Sequence, residues 1–131
     1  FSLHTVAAML DALGELARGP EPHAPWAQTT LDVLHHRSPL MLCVVLEQIR
    51  RARGITLAED LRMERNMVRH CFHHRPLADS ETVEGIRALA VDKDKQPQWK
   101  PQRVSEVDAA EVASFFNTPW PAHAHPLRGL A

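Results

Sequence analysis

Several side chains have the types and spacing that metal chemistry requires. His70 and His74 are four residues apart in a predicted helix, so both imidazoles would lie on one helix face, where such a pair can bind a metal ion. His73 lies between them. A zinc site needs further ligands with supporting hydrogen bonds, and the sequence shows none in a recognisable pattern. We therefore interpret these histidines as solvated residues at a helix end and predict no metal ligand, with a small metal protein as the alternative.

The two cysteines, Cys43 and Cys71, both fall within helical patterns. A nucleophilic cysteine needs an electropositive, exposed setting and an organised histidine partner, and the sequence indicates neither. We predict that both thiols are buried structural residues and assign no catalytic residue in this chain. Two cysteines are also too few for a disulfide framework, which favours a reducing compartment.

Glu64 is the one carboxylate that falls on a predicted apolar stripe, seven residues after Leu57 and four before Val68. A carboxylate among apolar side chains must be paired or neutral. We expect a salt bridge to an arginine of a neighbouring helix, and an active-site role is the alternative.

The elements that would position these residues are five to six short amphipathic helices, and the predicted fold is all-α. Helix starts are marked by Ser2, by Ser38 before Pro39, and by the capping box Thr56 to Glu59. The helices are predicted over 3–17, 26–36, 39–53 and 57–72, over a short segment carrying Glu84 and Gly85, and over 108–116.

Each predicted helix has an apolar stripe that we expect to face a core. The expected core-facing residues are Leu3, Val6, Leu10, Leu13 and Ala17 in the first helix, Trp26, Thr30, Val33 and Leu34 in the second, Leu42, Val45, Leu46 and Ile49 in the third, Leu57, Leu61, Val68, Cys71 and Phe72 in the fourth, and Val112, Phe115 and Phe116 in the last. From Asn117 onward, prolines and histidines without periodicity predict a disordered or loosely draped tail. The domain prediction is therefore a helical unit over 1–116 and an irregular tail over 117–131.

Composition excludes several classes of function. The chain has 131 residues, 44% hydrophobic and 24% charged, with a formal net charge of −1. This balance provides no positive field for nucleic acid or for an anionic membrane surface, and no apolar run is long enough to span a bilayer. We predict a protein of the cytoplasm without nucleic-acid or membrane partners. The chain begins without methionine and almost at once enters a helix, so we expect it to be part of a longer protein.

An ordered set of motifs runs through the second half of the chain. Glu84-Gly85-Ile86-Arg87-Ala88 is followed by Asp92-Lys93-Asp94 and then by Pro97-Gln98-Trp99-Lys100-Pro101. Upstream lie Ser38-Pro39 and Met63-Glu64. This order resembles the C-terminal part of the 3-hydroxyisobutyryl-CoA hydrolase branch of the enoyl-CoA hydratase/isomerase (crotonase) superfamily, over roughly residues 28–116.

The resemblance implies a role as one part of an enzyme. In that superfamily, an N-terminal core of ββα units supplies two backbone N–H groups for the thioester carbonyl, together with the catalytic carboxylates. The motifs of that core are absent here, so the chain alone is expected to be inactive and to bind no cofactor. Its expected partner is the N-terminal core of a larger α/β crotonase-type protein, whose substrate is a coenzyme A thioester. The helical region would cover an active site, form one wall of the coenzyme A pocket and make homo-oligomer contacts.

The resemblance also assigns one binding residue. In enoyl-CoA hydratases, a lysine of the corresponding charged segment lies near the adenine and 3′-phosphate of coenzyme A, and Lys93 matches it if a one-residue gap is accepted. From the residues alone, this segment is a solvated charged turn. Trp99, between two prolines, is expected to be a packed anchor rather than a platform for adenine.

Three departures separate the chain from the hydrolase pattern. Cys43 replaces a lysine, Arg65 replaces an aromatic residue, and the segment 77–83 replaces an Asp-Phe pair. An enoyl-CoA hydratase/isomerase of another substrate therefore remains an alternative. A second alternative is a free-standing helical interaction module. If helices one to four normally cover an active-site core, the free chain should form a symmetric dimer. We expect helices three and four, with Leu42, Leu46, Leu61 and Val68, to lie near its interface.

Overall fold

The computed structural model describes residues 2–130, so Phe1 and Ala131 lie outside the described residues. Within this range every regular element is helical, which confirms the predicted all-α class. The α-helices are α1 (Val6–Ala17), α2 (Ala24–His35), α3 (Pro39–Ala52), α4 (Leu57–His73), α5 (Glu81–Ile86) and α6 (Ala109–Ser114). A π-helical turn, Arg87–Val91, extends α5, and short 3-10 turns lie at Leu77–Asp79, Val104–Glu106 and Ala122–Ala124. No helix of the described range is long and apolar enough to cross a membrane.

Capping chemistry fixes the helix starts. The Ser38 hydroxyl accepts a hydrogen bond from the Met41 N–H, and Pro39 follows as the first residue of α3. Thr56 and Glu59 form the predicted capping box at α4. The first helix differs from prediction: Thr5, not Ser2, caps it by accepting from the Ala8 N–H. The prediction chose the earlier hydroxyl because both positions precede an apolar residue.

The core lies where α3, α4 and α6 meet. Leu40, Val44, Met67 and Phe115 are buried together. Partly buried around them are Met41, Met63, Cys71, Val107, Val112 and Phe116. The predicted inward side of α6 is therefore confirmed. α1 packs against α2, where Val6, Met9, Leu13 and Ala27 are buried.

The predicted core-facing stripes of α2, α3 and α4 are wrong at most positions, although Cys71 of α4 packs against the core as predicted. In α3 the buried residues are Leu40 and Val44, whereas Val45 and Ile49 are 43% and 51% exposed. In α4 the core contacts are made by Met63, Met67 and Cys71. The residues of the predicted α4 stripe that are exposed instead are Leu57, Leu61, Val68 and Phe72. In α2, Ala27 is buried while Trp26 and Val33 are half exposed. The more apolar stripe of α3 and of α4 faces away from the core.

The prediction of a disordered or loosely draped tail is wrong, because the segment after Asn117 is fastened to α4. It contacts α4 through hydrogen bonds from Arg62 to the carbonyl oxygens of Leu127 and Leu130. His125 of the tail is buried and bonded to Asn66. Side chains of α4 therefore provide an attachment that the aperiodic sequence did not reveal.

Candidate functional site

Glu81, a residue that the sequence did not single out, joins three distant parts of the chain. Its side chain is buried at the start of α5. One carboxylate oxygen accepts a hydrogen bond from the Ser38 hydroxyl, and the other accepts from the Lys100 N–H at 2.7 Å. The Arg75 guanidinium lies 4.0 Å away. Glu81 therefore fixes the Pro-x-Trp-x-Pro segment against the starts of α3 and α5.

Arg87 organises the charged turn that follows the π-helical turn. Its guanidinium donates to Glu84 at 2.7 Å, to Asp92 at 2.6 Å and to Asp94 at 2.7 Å. The hydrogen bond from Arg87, aided by one from the Gln98 N–H, lowers the pKa of Glu84 to about 2. The pKa of Asp94 is also lowered, first by the Arg87 hydrogen bond. The turn is thus built on one arginine that neutralises its carboxylates.

Lys93 and Lys95, the lysines of this turn, both have left-handed backbone conformations with φ of 57°. Both are exposed. Among the described residues, no carboxylate forms an ion pair with Lys93. Because Arg87 engages Asp92 and Asp94, the flanking carboxylates do not compete for the Lys93 ammonium. The geometry therefore presents an exposed cation on a fixed turn.

Trp99 is a packed anchor, as predicted. Its indole N–H donates to the carbonyl oxygen of His36 at 3.2 Å. The ring lies so close to Gly85 that an added Cβ there would be 3.3 Å from the ring edge. The Glu-Gly pair of the motif therefore has a direct purpose, because glycine lets the α5 backbone approach the indole.

An open, mainly apolar groove with a volume of about 730 Å³ lies beside this anchor. Ile86, Leu89 and Trp99 contribute apolar walls, and His36, Arg37 and Lys95 contribute polar ones. Ile86 and Leu89 are 47% and 71% exposed. Motif residues thus form a surface that can receive another molecule or another part of a protein.

The second candidate surface is an exposed apolar face formed by α3 and α4, which we call the α3–α4 face. It comprises Val45, Ile49, Leu57, Leu61, Val68 and Phe72. Across the two helices, the Gln48 amide donates to the Glu64 carboxylate at 3.1 Å. Val45 lies three positions before Gln48 and four before Ile49, and Leu61 and Val68 lie three before and four after Glu64, which is the spacing of one helix surface. Glu64 is therefore exposed and bonded to Gln48, and the predicted arginine salt bridge is wrong.

His70 and His74 of the histidine cluster are partly buried and in contact with α6 and the tail, so the prediction that they are solvated is wrong. The His70 ring bonds to the Asn117 carbonyl oxygen at 2.9 Å, and His74 lies 3.4 Å from both Ser114 and Glu111. Both rings contact Phe115. No group of three or more potential metal ligands occurs within residues 2–130. The ring nitrogens of His70 and His74 thus connect α4 to the tail and to α6.

Both cysteines are free and only partly exposed. Burial raises the pKa of the Cys43 thiol and of the Cys71 thiol. A raised pKa keeps a thiol protonated near neutral pH, where only the thiolate is nucleophilic. The structural interpretation of both cysteines therefore fits their surroundings.

The accessible surface measures how much of the chain is left uncovered. It is 8637 Å², whereas a compact monomer of 14.8 kDa exposes about 7,000 Å². The excess of about 1,600 Å² is roughly twice what one partner contributes to a standard protein interface. Part of this excess surface is apolar, because apolar residues of α3, of α4 and of the Trp99 groove are exposed.

A helical domain with an apolar docking face and a fixed charged turn is what these features define. The family model described as enoyl-CoA hydratase/isomerase matches residues 1–116, and the chain belongs to that family. It is 39% identical over 95 residues, 72% of the chain, to a mitochondrial 3-hydroxyisobutyryl-CoA hydrolase of Dictyostelium discoideum, covering 24% of that protein.

Two further relatives carry related names. Identity is 30% over 90% of the chain to a mitochondrial 3-hydroxyisobutyryl-CoA hydrolase of Rattus norvegicus, with 28% of that protein covered. It is 32% over 88% of the chain to 3-hydroxyisobutyryl-CoA hydrolase-like protein 5 of Arabidopsis thaliana, with 29% covered. The chain thus spans about a quarter of the length of these curated relatives.

Proposed function

We propose that this chain is the C-terminal helical region of an acyl-CoA thioester hydrolase of the 3-hydroxyisobutyryl-CoA hydrolase type. The observation that carries the proposal is the family match over residues 1–116 together with relatives that are named as these hydrolases. The chain works together with a catalytic core of the same family, which holds the thioester carbonyl and the acid–base groups. The chain itself contributes positioning and coverage.

The proposed contact with that core is the α3–α4 face. Its six apolar side chains are exposed in this chain, and the central Gln48–Glu64 pair is already hydrogen-bonded. A satisfied polar pair costs less to cover than an unpaired one. Covering this face and part of the Trp99 groove would remove the excess surface. The remaining exposed groove then supplies oligomer contacts and one wall of the coenzyme A pocket.

Lys93 is proposed to meet the 3′-phosphate of coenzyme A. Its support is chemical: a left-handed turn holds an exposed ammonium between two carboxylates that are bonded to Arg87. An ammonium interacts with a phosphate as a point charge and needs no fixed fork geometry. Coenzyme A enters here as the substrate carrier of the whole enzyme.

The alternative function is a free-standing helical interaction module. An exposed apolar face fits that function as well as it fits core docking. Family membership favours the enzyme, because its relatives are several times longer than this chain and named as hydrolases. The cytoplasmic location also remains a prediction, and the relatives named as mitochondrial make fractionation of tagged protein the relevant test.

The proposal is tested by measuring turnover with the longer polypeptide in which the proposed N-terminal catalytic core precedes this chain. We expect release of free coenzyme A from 3-hydroxyisobutyryl-CoA, measured with a thiol reagent, and no turnover by the isolated chain. Hydration of a short enoyl-CoA without thioester hydrolysis would assign the protein to the hydratase alternative. Absence of both activities in a folded polypeptide would contradict the enzyme proposal.

A further inference from the structure

Trp120 belongs to the segment after the family match, which ends at residue 116. Hydrogen bonds to α4 hold this segment on both sides of the tryptophan. Asn66 donates to the Thr118 hydroxyl at 3.3 Å, and the buried His125 ring bonds to the Asn66 side-chain oxygen at 3.1 Å. Trp120 is therefore held at a fixed place on the surface of α4.

Two arginines of α4 share the Trp120 ring. The guanidinium carbons of Arg65 and Arg69 lie 5.0 and 5.4 Å from its centroid, within the range of a cation–π contact. The two arginines are four positions apart, so they are neighbours on one side of the helix. A guanidinium that contacts a ring with its flat face keeps its N–H groups, which lie in its plane, available for other partners. The ring therefore positions both cations without using their hydrogen-bond donors.

The donors of this cluster have no acceptor. Within residues 2–130, neither Arg65 nor Arg69 forms a hydrogen bond or an ion pair, and the Trp120 indole N–H has no acceptor. Arg65 is partly exposed and Arg69 is exposed, so solvent reaches the cluster. Arg75, by contrast, donates to both oxygens of the Glu111 carboxylate. We call Arg65, Arg69 and Trp120 the arginine–tryptophan cluster.

The carboxylates of α4 do not neutralise this cluster. Glu59 completes the capping box of α4, and Glu64 accepts a hydrogen bond from the Gln48 amide. Asp60 lies nine positions before Arg69, which places it on the opposite side of the helix. The local charge is therefore positive, although the formal net charge of the chain is −1.

We propose that the arginine–tryptophan cluster is a binding site for a phosphate monoester of a soluble small molecule. A phosphate monoester is close to a dianion at neutral pH, so it can neutralise both guanidinium groups, whereas a single carboxylate neutralises only one. Its oxygens also match the fork of N–H groups that arginine presents. Because Trp120 holds both cations in place before binding, less side-chain entropy is lost when the ligand binds. The site does not depend on the proposed enzymatic function.

The proposal is tested with methyl phosphate and the full chain at pH 8 and constant ionic strength, where this ester is a dianion. The signal is the Trp120 indole N–H resonance, identified by its absence in Trp120→Phe. We expect a saturable shift with a dissociation constant of about 1 mM, in the range of two charge-assisted contacts. Dimethyl phosphate, a monoanion of similar size, should bind at least about tenfold more weakly. Equal affinity for both esters, or no saturable shift with methyl phosphate, would overturn the site.

Conservative variants separate the planar fork from the charge. Arg65→Lys and Arg69→Lys keep the positive charge but lose the fork, and each should raise the dissociation constant of methyl phosphate about three- to tenfold. Lysine keeps a long apolar stem, so we expect both variants to fold. The matched control is Arg18→Lys, which changes an exposed arginine at the end of α1 and should leave the affinity unchanged. An equal loss in all three variants, or no loss in either variant of α4, would contradict the proposal.

Discussion

Ser38 and Glu81 share a buried hydrogen bond although 43 residues separate them in sequence. The same hydroxyl caps α3, and the same carboxylate accepts the Lys100 N–H. One polar pair therefore sets the relative positions of α3, α5 and the Pro-x-Trp-x-Pro segment. Because this pair is buried, removing either partner should lower the free energy of unfolding substantially.

We expect Glu81→Ala to lower the free energy of unfolding by about 2 to 4 kcal/mol, because the Ser38 hydroxyl and Lys100 N–H both lose a buried acceptor. Denaturant unfolding measures this. The control is Glu47→Ala, which removes an exposed pair with Arg51 and should cost about 0.5 kcal/mol or less. Equal losses in the two variants would show that Glu81 does not hold these segments together.

The Arg87 network predicts a specific response to acid. The pKa of Glu84 is lowered from 4.5 to about 2, so its contribution to stability is complete above pH 4.5 and is lost as the pH falls toward 2. The stability difference between the unaltered chain and Glu84→Gln should be largest at pH 6 to 7 and should shrink between pH 4.5 and 2. A difference that is constant over this range would contradict the ion-pair description of the turn.

Lys93 allows a sharp test in the enzyme formed with the core. Lys93→Ala should weaken binding of a coenzyme A thioester about three- to tenfold, since a charge-assisted contact to phosphate is lost. Binding of the matching thioester of 3′-dephospho-coenzyme A should be unchanged. Arg18→Ala, which removes an exposed cation at the end of α1, away from the charged turn and the Trp99 groove, is the control and should leave binding of both thioesters unchanged. Equal weakening of binding for both thioesters would contradict a contact between Lys93 and the 3′-phosphate.

The α3–α4 face should cause the isolated chain to self-associate. Val68→Glu places a charge on the face and should weaken association by about tenfold or more, because the carboxylate is desolvated without a partner. Leu77→Glu is the control, since Leu77 is exposed on a different element. Sedimentation at rising concentration measures both. A monomeric unaltered chain, or equal behaviour of the two variants, would contradict this use of the face.

Local chemistry was predicted well from the sequence. Ser38 and Thr56 cap the expected helices, because a capping hydroxyl needs only its own next turn. These caps depend on neighbours within four residues. Phe115 is also buried as its periodicity predicted.

Features that depend on distant partners were predicted less well, although Trp99 is a packed anchor as expected. Periodicity identifies the more apolar stripe, and in α3 and α4 that stripe is Val45, Ile49, Leu61 and Val68, all exposed. When a helix has two apolar sides, its sequence does not show which side packs into the core of this chain and which side stays exposed. Glu81 and His125 are buried polar residues whose partners come from separate segments, so no local pattern marks them.

The most direct measurement of the central proposal is the rate of thiol labelling at Val68→Cys, with Cys43 and Cys71 replaced by serine or alanine. Val68 is 51% exposed here, so labelling of the dilute isolated chain should be fast. In the polypeptide that includes the core, it should slow by at least about tenfold, while Leu77→Cys should label rapidly in both. Equal labelling of Val68→Cys with and without the core would contradict docking through the α3–α4 face.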